Sequence, residues 1–300
     1  MSVIYFSKIN LNSEHIFDVY QKKIEMKKIL NAVMKSISEP MEYNESYSYI
    51  DNGEIYDKTI KFEFKVLSKT DESIVGYIYR TSNISYNLKN DETDELQRMT
   101  TPNTDAIKFY FDVYKEIIGF TTRQRFKTVD FNKAIEYFIN EALKINQYDY
   151  RFTVSLYNEG LDISDIKSEL KKIPKIKELV VKYQPPNPDS KELDEIWDNG
   201  DGTLDEMKTA NVTNKSVIFK SKGTTGLNIE AKIIDDELNA VSDIYKCASF
   251  KSSISKGYIS VDAIARNGKK YTTSETKPVK TNLDDENMFI EVCKEIISSL

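Results

Sequence analysis

The sequence holds a single histidine, His15, and two cysteines, Cys247 and Cys293, among its 300 residues. One imidazole and two distant thiols exclude histidine triads, His- or Cys-ligated zinc sites and paired-thiol chemistry. His15 falls in the first turn of a predicted helix and reads as a structural or surface residue. Both cysteines fall on the apolar sides of predicted helices, where a thiol packs as a small hydrophobe. Two cysteines in so long a chain make no disulfide framework, which points to a reducing cytoplasm. Glycine (10) and proline (7) are sparse, and no glycine-rich phosphate loop appears. No apolar run approaches the ~20 residues of a membrane span. The apolar start Val3–Phe6 has no basic region ahead of it and is too short for a signal peptide. These absences imply a soluble cytoplasmic chain with no resident cofactor, no metal and no membrane insertion.

What the sequence does have is aromatic and charged. Tyrosine (19) and phenylalanine (14) are plentiful, and 40% of the residues are hydrophobic, enough to build a core. A chain of this length suits two structural units. Net charge is −6. Eight acids against two lysines between Pro185 and Ala210 account for that excess, so the remainder is balanced and local basic faces are available. The wealth of Lys, Ile and Asn fits an AT-rich bacterial or phage genome.

The patterning predicts an α+β fold: an antiparallel sheet with flanking helices, plus an inserted β-α-β unit like half of a ferredoxin-like domain. Val3–Leu11 alternates as a strand. Ser13 then caps a helical stripe running to Ile37, stopped by Pro40. Tyr43–Ile50, Tyr56–Leu67, Ile74–Tyr79 and Ile84–Leu88 read as a meander, and Ala106–Val113 with Ile117–Thr122 as a hairpin. Asp130 reads as the cap of a helix to Leu143. Phe152–Leu156, Ile163–Leu170 and Ile176–Tyr183 form the β-α-β run, ended by Pro185 to Pro188. A strand at Ser216–Ser221 and a helix over Glu230–Ala248 follow. Arg266-Asn267-Gly268-Lys269 marks a tight hairpin, and Asp284 and Asp285 open a final helix. The expected division is residues 1–146 with 250–300 as one unit and 147–249 as the insertion.

Three basic clusters are the candidate binding residues: Arg123, Arg125 and Lys127 between a strand and a helix; Lys171, Lys172 and Lys175 at a helix–strand turn; and Arg266, Lys269 and Lys270 at the hairpin tip. Arg and Lys on adjacent loops meet phosphates without reading sequence. Trp197, the lone tryptophan, sits in the acidic stretch as a candidate anchor for a protein partner. Glu63-Phe64-Lys65 and Glu230-Ala231-Lys232 satisfy the minimal Glu-x-Lys spelling of a metal-dependent nuclease. In a chain that is 30% charged, such triplets also arise by chance. Asp198-Asn199-Gly200-Asp201-Gly202 looks like a calcium loop, but the spacing would put Trp197 and Lys208 at ligand positions, which excludes it.

The order of elements resembles the RexA-like phage-exclusion proteins. Two stretches carry the resemblance: Ile117-Ile118-Gly119-Phe120-Thr121-Thr122-Arg123 with the helix near Phe131 to Leu143, and Ile259-Ser260-Val261-Asp262-Ala263 with Gly268-Lys269-Lys270 before a final helix. The resemblance implies a domain built from both chain ends with an inserted second domain, a homodimer, and sequence-independent DNA binding in an anti-phage exclusion (abortive-infection) system. The expectation is therefore a non-enzymatic DNA-binding or sensing protein. The alternatives are a protein-interaction module of a defence or toxin–antitoxin system, acting through an operon-encoded partner, and a metal-dependent nuclease.

Overall fold

A computed structural model describes residues 2–38, 40–51, 53–89, 96–188, 202–243 and 249–300. The strands are β1 (Ser2–Leu11), β2 (Met41–Asp51), β3 (Glu54–Lys69), β4 (Ser73–Lys89), β5 (Leu96–Asp112), β6 (Ile117–Thr121), β7 (Phe152–Leu156), β8 (Ile176–Tyr183), β9 (Lys215–Lys220), β10 (Ile259–Ala265), β11 (Lys270–Thr272) and β12 (Lys280–Leu283). The helices are α1 (His15–Tyr20), α2 (Met26–Ser36), α3 (Thr128–Ile145), α4 (Ile163–Lys171), α5 (Gly202–Thr209), α6 (Lys232–Asp243), α7 (Phe250–Ser255) and α8 (Phe289–Ser299).

The fold is α+β, with a large antiparallel sheet, flanking helices and a second, smaller sheet. The large sheet runs β12-β1-β6-β5-β4-β3-β2, with β7 also on β1. β1 is its pivot. One edge pairs with β6, while the other takes β12 on Ser2–Tyr5 and β7 on Ser7–Leu11. The free edge of β7 is closed by α3: Asn140 exchanges two 2.8 Å hydrogen bonds with the backbone of Phe152, and Glu136 accepts from the Val154 N–H.

The period-2 alternation in β3–β5 and the helical stripe of α3 bury the same space. Phe131, Ala134, Ile135 and Phe138 of α3 pack on Phe62, Phe64, Ile78, Ile107 and Phe109, all 2% exposed or less. Phe131 stacks on Phe120 of β6 with centroids 3.9 Å apart. Burial of each such side chain contributes about 1.5–3 kcal/mol. On the opposite face α8 buries Phe289, Cys293 and Ile297 against Ile4, Phe6, Val75 and Tyr110.

The small sheet runs β11-β10-β8-β9. Its inward residues, Leu179 and Val181 of β8 with Val261 and Ala263 of β10, meet Ile166 and Leu170 of α4 and Ile234 and Leu238 of α6. The two strands of the β7–α4–β8 run lie in different sheets, so that run bridges the sheets. Residues 250–300 likewise serve both, giving β10 and β11 to the small sheet and β12 and α8 to the large one. Alternation identifies a strand but carries no information about which edge it joins.

Three local expectations change. The stripe from Ser13 to Ile37 is two helices. Lys22, at φ 54°, closes α1 with bonds from Lys22 N–H to Val19 O and from Lys23 N–H to Asp18 O, a Schellman closure with lysine in the usual glycine position. α3 begins at Thr128, so Asp130 lies within its first turn, where a carboxylate complements the helix dipole. The segments Ile74–Tyr79 and Ile84–Leu88 are one 17-residue strand, and β5 begins ten residues before Ala106. The lengths that alternation does not mark, Arg80–Asn83 of β4 and the stretch of β5 before Ala106, are largely polar. Cross-strand hydroxyl pairs supplement their ladders, Thr81 with Thr104 at 2.8 Å and Ser85 with Thr100 at 3.3 Å.

Candidate nucleic-acid interface

Strands β2–β5 outrun the helices that cover them. β3 and β4 stay paired only as far as Ile60 and Ser82. Beyond that point β2 and β3 continue together to Asp51 and Glu54, and β4 and β5 to Lys89 and Leu96. The sheet thus parts into two hairpin arms with a groove between them, and among the described residues no helix covers the face there that α3 covers lower down.

The floor of this groove is charged. Arg80 occupies the buried phase of β4, between Ile78 and Ser82, and is 8% exposed. Its Nη1 donates to Ser82 Oγ at 3.2 Å. Its Nε lies 3.9 Å from Oδ2 of Asp130 and has no hydrogen-bond partner among the described residues. Opposite Arg80 across the β4–β5 ladder stands Asp105. Nearby, Lys133 of α3 holds Glu45 of β2 at 2.7 Å. Burial, reinforced by Glu45, pushes the Tyr43 hydroxyl well above the usual tyrosine range, so it stays protonated.

The segment Arg123–Lys127 is pinned over the same face. Phe126 is fully buried and packs edge-on against Phe62, the cross-strand neighbour of Arg80. Reciprocal backbone bonds between Arg123 and Phe126 tighten the turn, and Arg123 Nε donates to Ala106 O at 3.3 Å. The apolar plug holds the loop down while Arg123, Arg125 and Lys127 remain exposed beside Arg80.

The family model described as Domain of unknown function (DUF4747) matches residues 22–297. The chain belongs to the DUF4747 family. No curated protein and no solved structure matches it. The DUF4747 match takes in both arms, the Arg123–Lys127 loop and the small sheet.

The other two basic clusters of this DUF4747 chain come together at one end of the small sheet. Arg266 N–H donates to Lys175 O at 3.1 Å, and the Arg266 guanidinium is held by the carbonyls of Ser221 and Gly223. Lys269 and Lys270 are exposed beside it on the hairpin. Lys171 and Lys172 are engaged by Glu230 at 2.7 Å and Glu169 at 2.6 Å, which leaves this end less cationic than its composition suggests. Trp197 and Cys247 lie outside the described residues. Glu63 faces away from α3 on β3 and pairs with Lys61 at 3.2 Å, while Glu230 pairs with Lys171. Among the described residues no three His, Cys, Asp or Glu side chains converge as a metal site. His15 lies on α1, its Nε2 3.0 Å from Oδ1 of Asp149. No helix among the described residues is long and apolar enough to cross a membrane.

Sequence reasoning missed Arg80. Its signal was present: an arginine in the buried phase of Ile74, Ile78, Arg80 and Ser82. Reasoning from sequence also missed a second polar site. A cavity of about 1180 Å³ opens where β1 meets the turn before β6, lined by Lys8, Lys27, Tyr114, Glu116 and Asn187 among others. Glu116 receives Lys8 Nζ on Oε2 at 2.7 Å and Asn187 Nδ2 on Oε1 at 2.8 Å. Asn187 also binds the backbone of Ile9 and Leu11. Every strong acceptor and donor in this trio is engaged, so it reads as a polar rivet fastening the 184–188 segment to β1.

Proposed function

We propose that this DUF4747 protein is a non-enzymatic DNA-binding component of an anti-phage exclusion system, cytoplasmic and dimeric, recognising DNA without regard to sequence. The observation that carries the DNA-binding part is the convergence of Arg80, Arg123, Arg125 and Lys127 at the root of two uncovered arms, in a chain whose overall charge is −6. Cations held on a rigid loop beside an open sheet face suit phosphate contact. The exclusion role rests on the resemblance of the sequence to the RexA-like proteins, carried by the stretches that form the β5–β6 hairpin with α3 and the β10–β11 hairpin before α8.

A low-salt gel shift with mixed-sequence DNA tests the reading. The wild type retards DNA, and retention weakens as salt rises. Arg123→Ala/Arg125→Ala lowers affinity and reduces the slope of log K against log salt by about 2, near one unit for each phosphate that is no longer neutralised. Absence of retardation by the wild type overturns the proposal.

A further inference from the structure

We infer that the groove between the two arms takes single-stranded DNA, its phosphates on the Arg123–Lys127 loop and its bases against the arm tyrosines. This rests on the DNA-binding reading above and narrows it to the unpaired strand.

The inner face of each arm continues the face that forms the core. On β2, Tyr43 packs against Tyr137 and Phe138 of α3, and Glu45 pairs with Lys133. Two residues further, beyond the helix, Tyr47 points the same way and is 46% exposed, with Tyr49 following at 37%. On β4 the same phase runs from buried Ile78, Arg80 and Ser82 out to Tyr86, also 46% exposed. Tyr47 and Tyr86 therefore present aromatic rings from opposite arms, on the one face where the basic loop also sits. Solvation alone would favour small polar residues there, as at Ser85 and Thr100 on the other face.

Charge selects the occupant. The inner face carries Lys58, Arg80 and Lys133 from the sheet and α3, with Arg123, Arg125 and Lys127 from the loop. Against them, among the described side chains, stand Glu45, Asp105 and Asp130. This local excess of cations, in an acidic chain, matches a polyanion. The tyrosines select its form. A duplex keeps its base faces inside the stack and offers only phosphates and groove edges, whereas an unpaired strand exposes π-faces that stack on phenol rings whatever the base. The apolar pair Ile50 and Ile55, 75% and 73% exposed, lies on the outer face of its arm, so the surface best suited to a protein contact is not the groove.

The test uses the full chain with a labelled mixed-sequence oligodeoxynucleotide of about 30 residues, its duplex and the RNA of the same sequence, at low salt. The single strand binds about tenfold or more tightly than the duplex, which is within the range of one stacked base. Tyr47→Ala/Tyr86→Ala removes that preference and leaves duplex binding unchanged, while Tyr47→Phe/Tyr86→Phe keeps it. Both tyrosines are exposed, and an unchanged melting temperature shows that the variants fold. If duplex binds as tightly as single strand and the alanine variant changes neither, this inference fails while DNA binding stands. If no DNA binds, both fail. Tighter binding of the RNA, or a shift in oligomeric state as the sole effect of the alanine variant, also overturns it.

Discussion

The ammonium of Lys8 lies 2.7 Å from Oε2 of Glu116, and both side chains are about nine-tenths buried. Glu116 reaches this position with φ at 61°, a left-handed backbone that a non-glycine residue adopts at a cost. Removing one partner of a buried pair strands the other. Glu116→Ala therefore destabilises by about 3–5 kcal/mol, and Lys8→Met/Glu116→Leu by less than Glu116→Ala alone. Urea unfolding of the three proteins checks the order.

Gly119 is needed for close packing across the sheet. A Cβ there would meet Cys293 Sγ at 2.6 Å and Phe6 at 3.2 Å. Gly119→Ala costs about 1–3 kcal/mol through overpacking, and adding Cys293→Ala recovers part of that stability. Thermal melts of the single and double variants decide it.

Burial pushes the Cys293 thiol up to about 12, so the thiolate is scarce at neutral pH. In a Cys247→Ser background, iodoacetamide at pH 8 leaves the native protein unlabelled, and denaturant exposes one reactive thiol. Labelling of the native protein at the rate of free cysteine would contradict the packing of α8 on the sheet.

Burial raises the Glu136 carboxyl above its ordinary value, against the lesser, opposing effect of the Val154 N–H it accepts. The folded state thus binds its proton more tightly than the unfolded state. The contribution to stability is fully present below the unfolded value and is lost as pH rises through the folded one. Glu136→Gln keeps an acceptor for Val154 without the charge. It melts at an equal or higher temperature at pH 7, and the difference shrinks as pH falls below about 4. A variant that melts lower at pH 7 and recovers on acidification refutes this sign.

Much of the fold is legible along the chain because the core obeys simple periods. The alternation of Ile60, Phe62 and Phe64 and the stripe of Phe131, Ala134 and Phe138 take the form expected of them, and Asn267-Gly268 turns a hairpin, though through a three-residue loop with Gly268 left-handed rather than a two-residue turn. The arms were harder to read. Arg80 to Asn83 and Thr100 to Thr104 carry too few apolar residues to signal a strand, and they hold their shape through ladders and hydroxyl pairs. Which sheet a strand joins was also beyond local pattern, as β7 and β8 show. Of the candidate site, the charge run Arg123–Lys127 was visible, but its neighbours were not. Arg80 comes beside it because Phe126 docks on Phe62, a pairing of residues 64 positions apart in sequence.

The position of β1 bears on how the chain is made. Its partners are spread across the sequence, and β12 begins about 270 residues after β1 ends. At roughly 5–20 residues per second, that separation is roughly 15–55 s of synthesis during which the outer edge of Ser2–Tyr5 has no native strand to meet. An apolar strand with an open edge is a template for wrong pairings. The interval is a window in which a nascent chain is vulnerable to aggregation, and a ribosome-associated chaperone that shields β1 would raise the yield of native protein without altering its final stability.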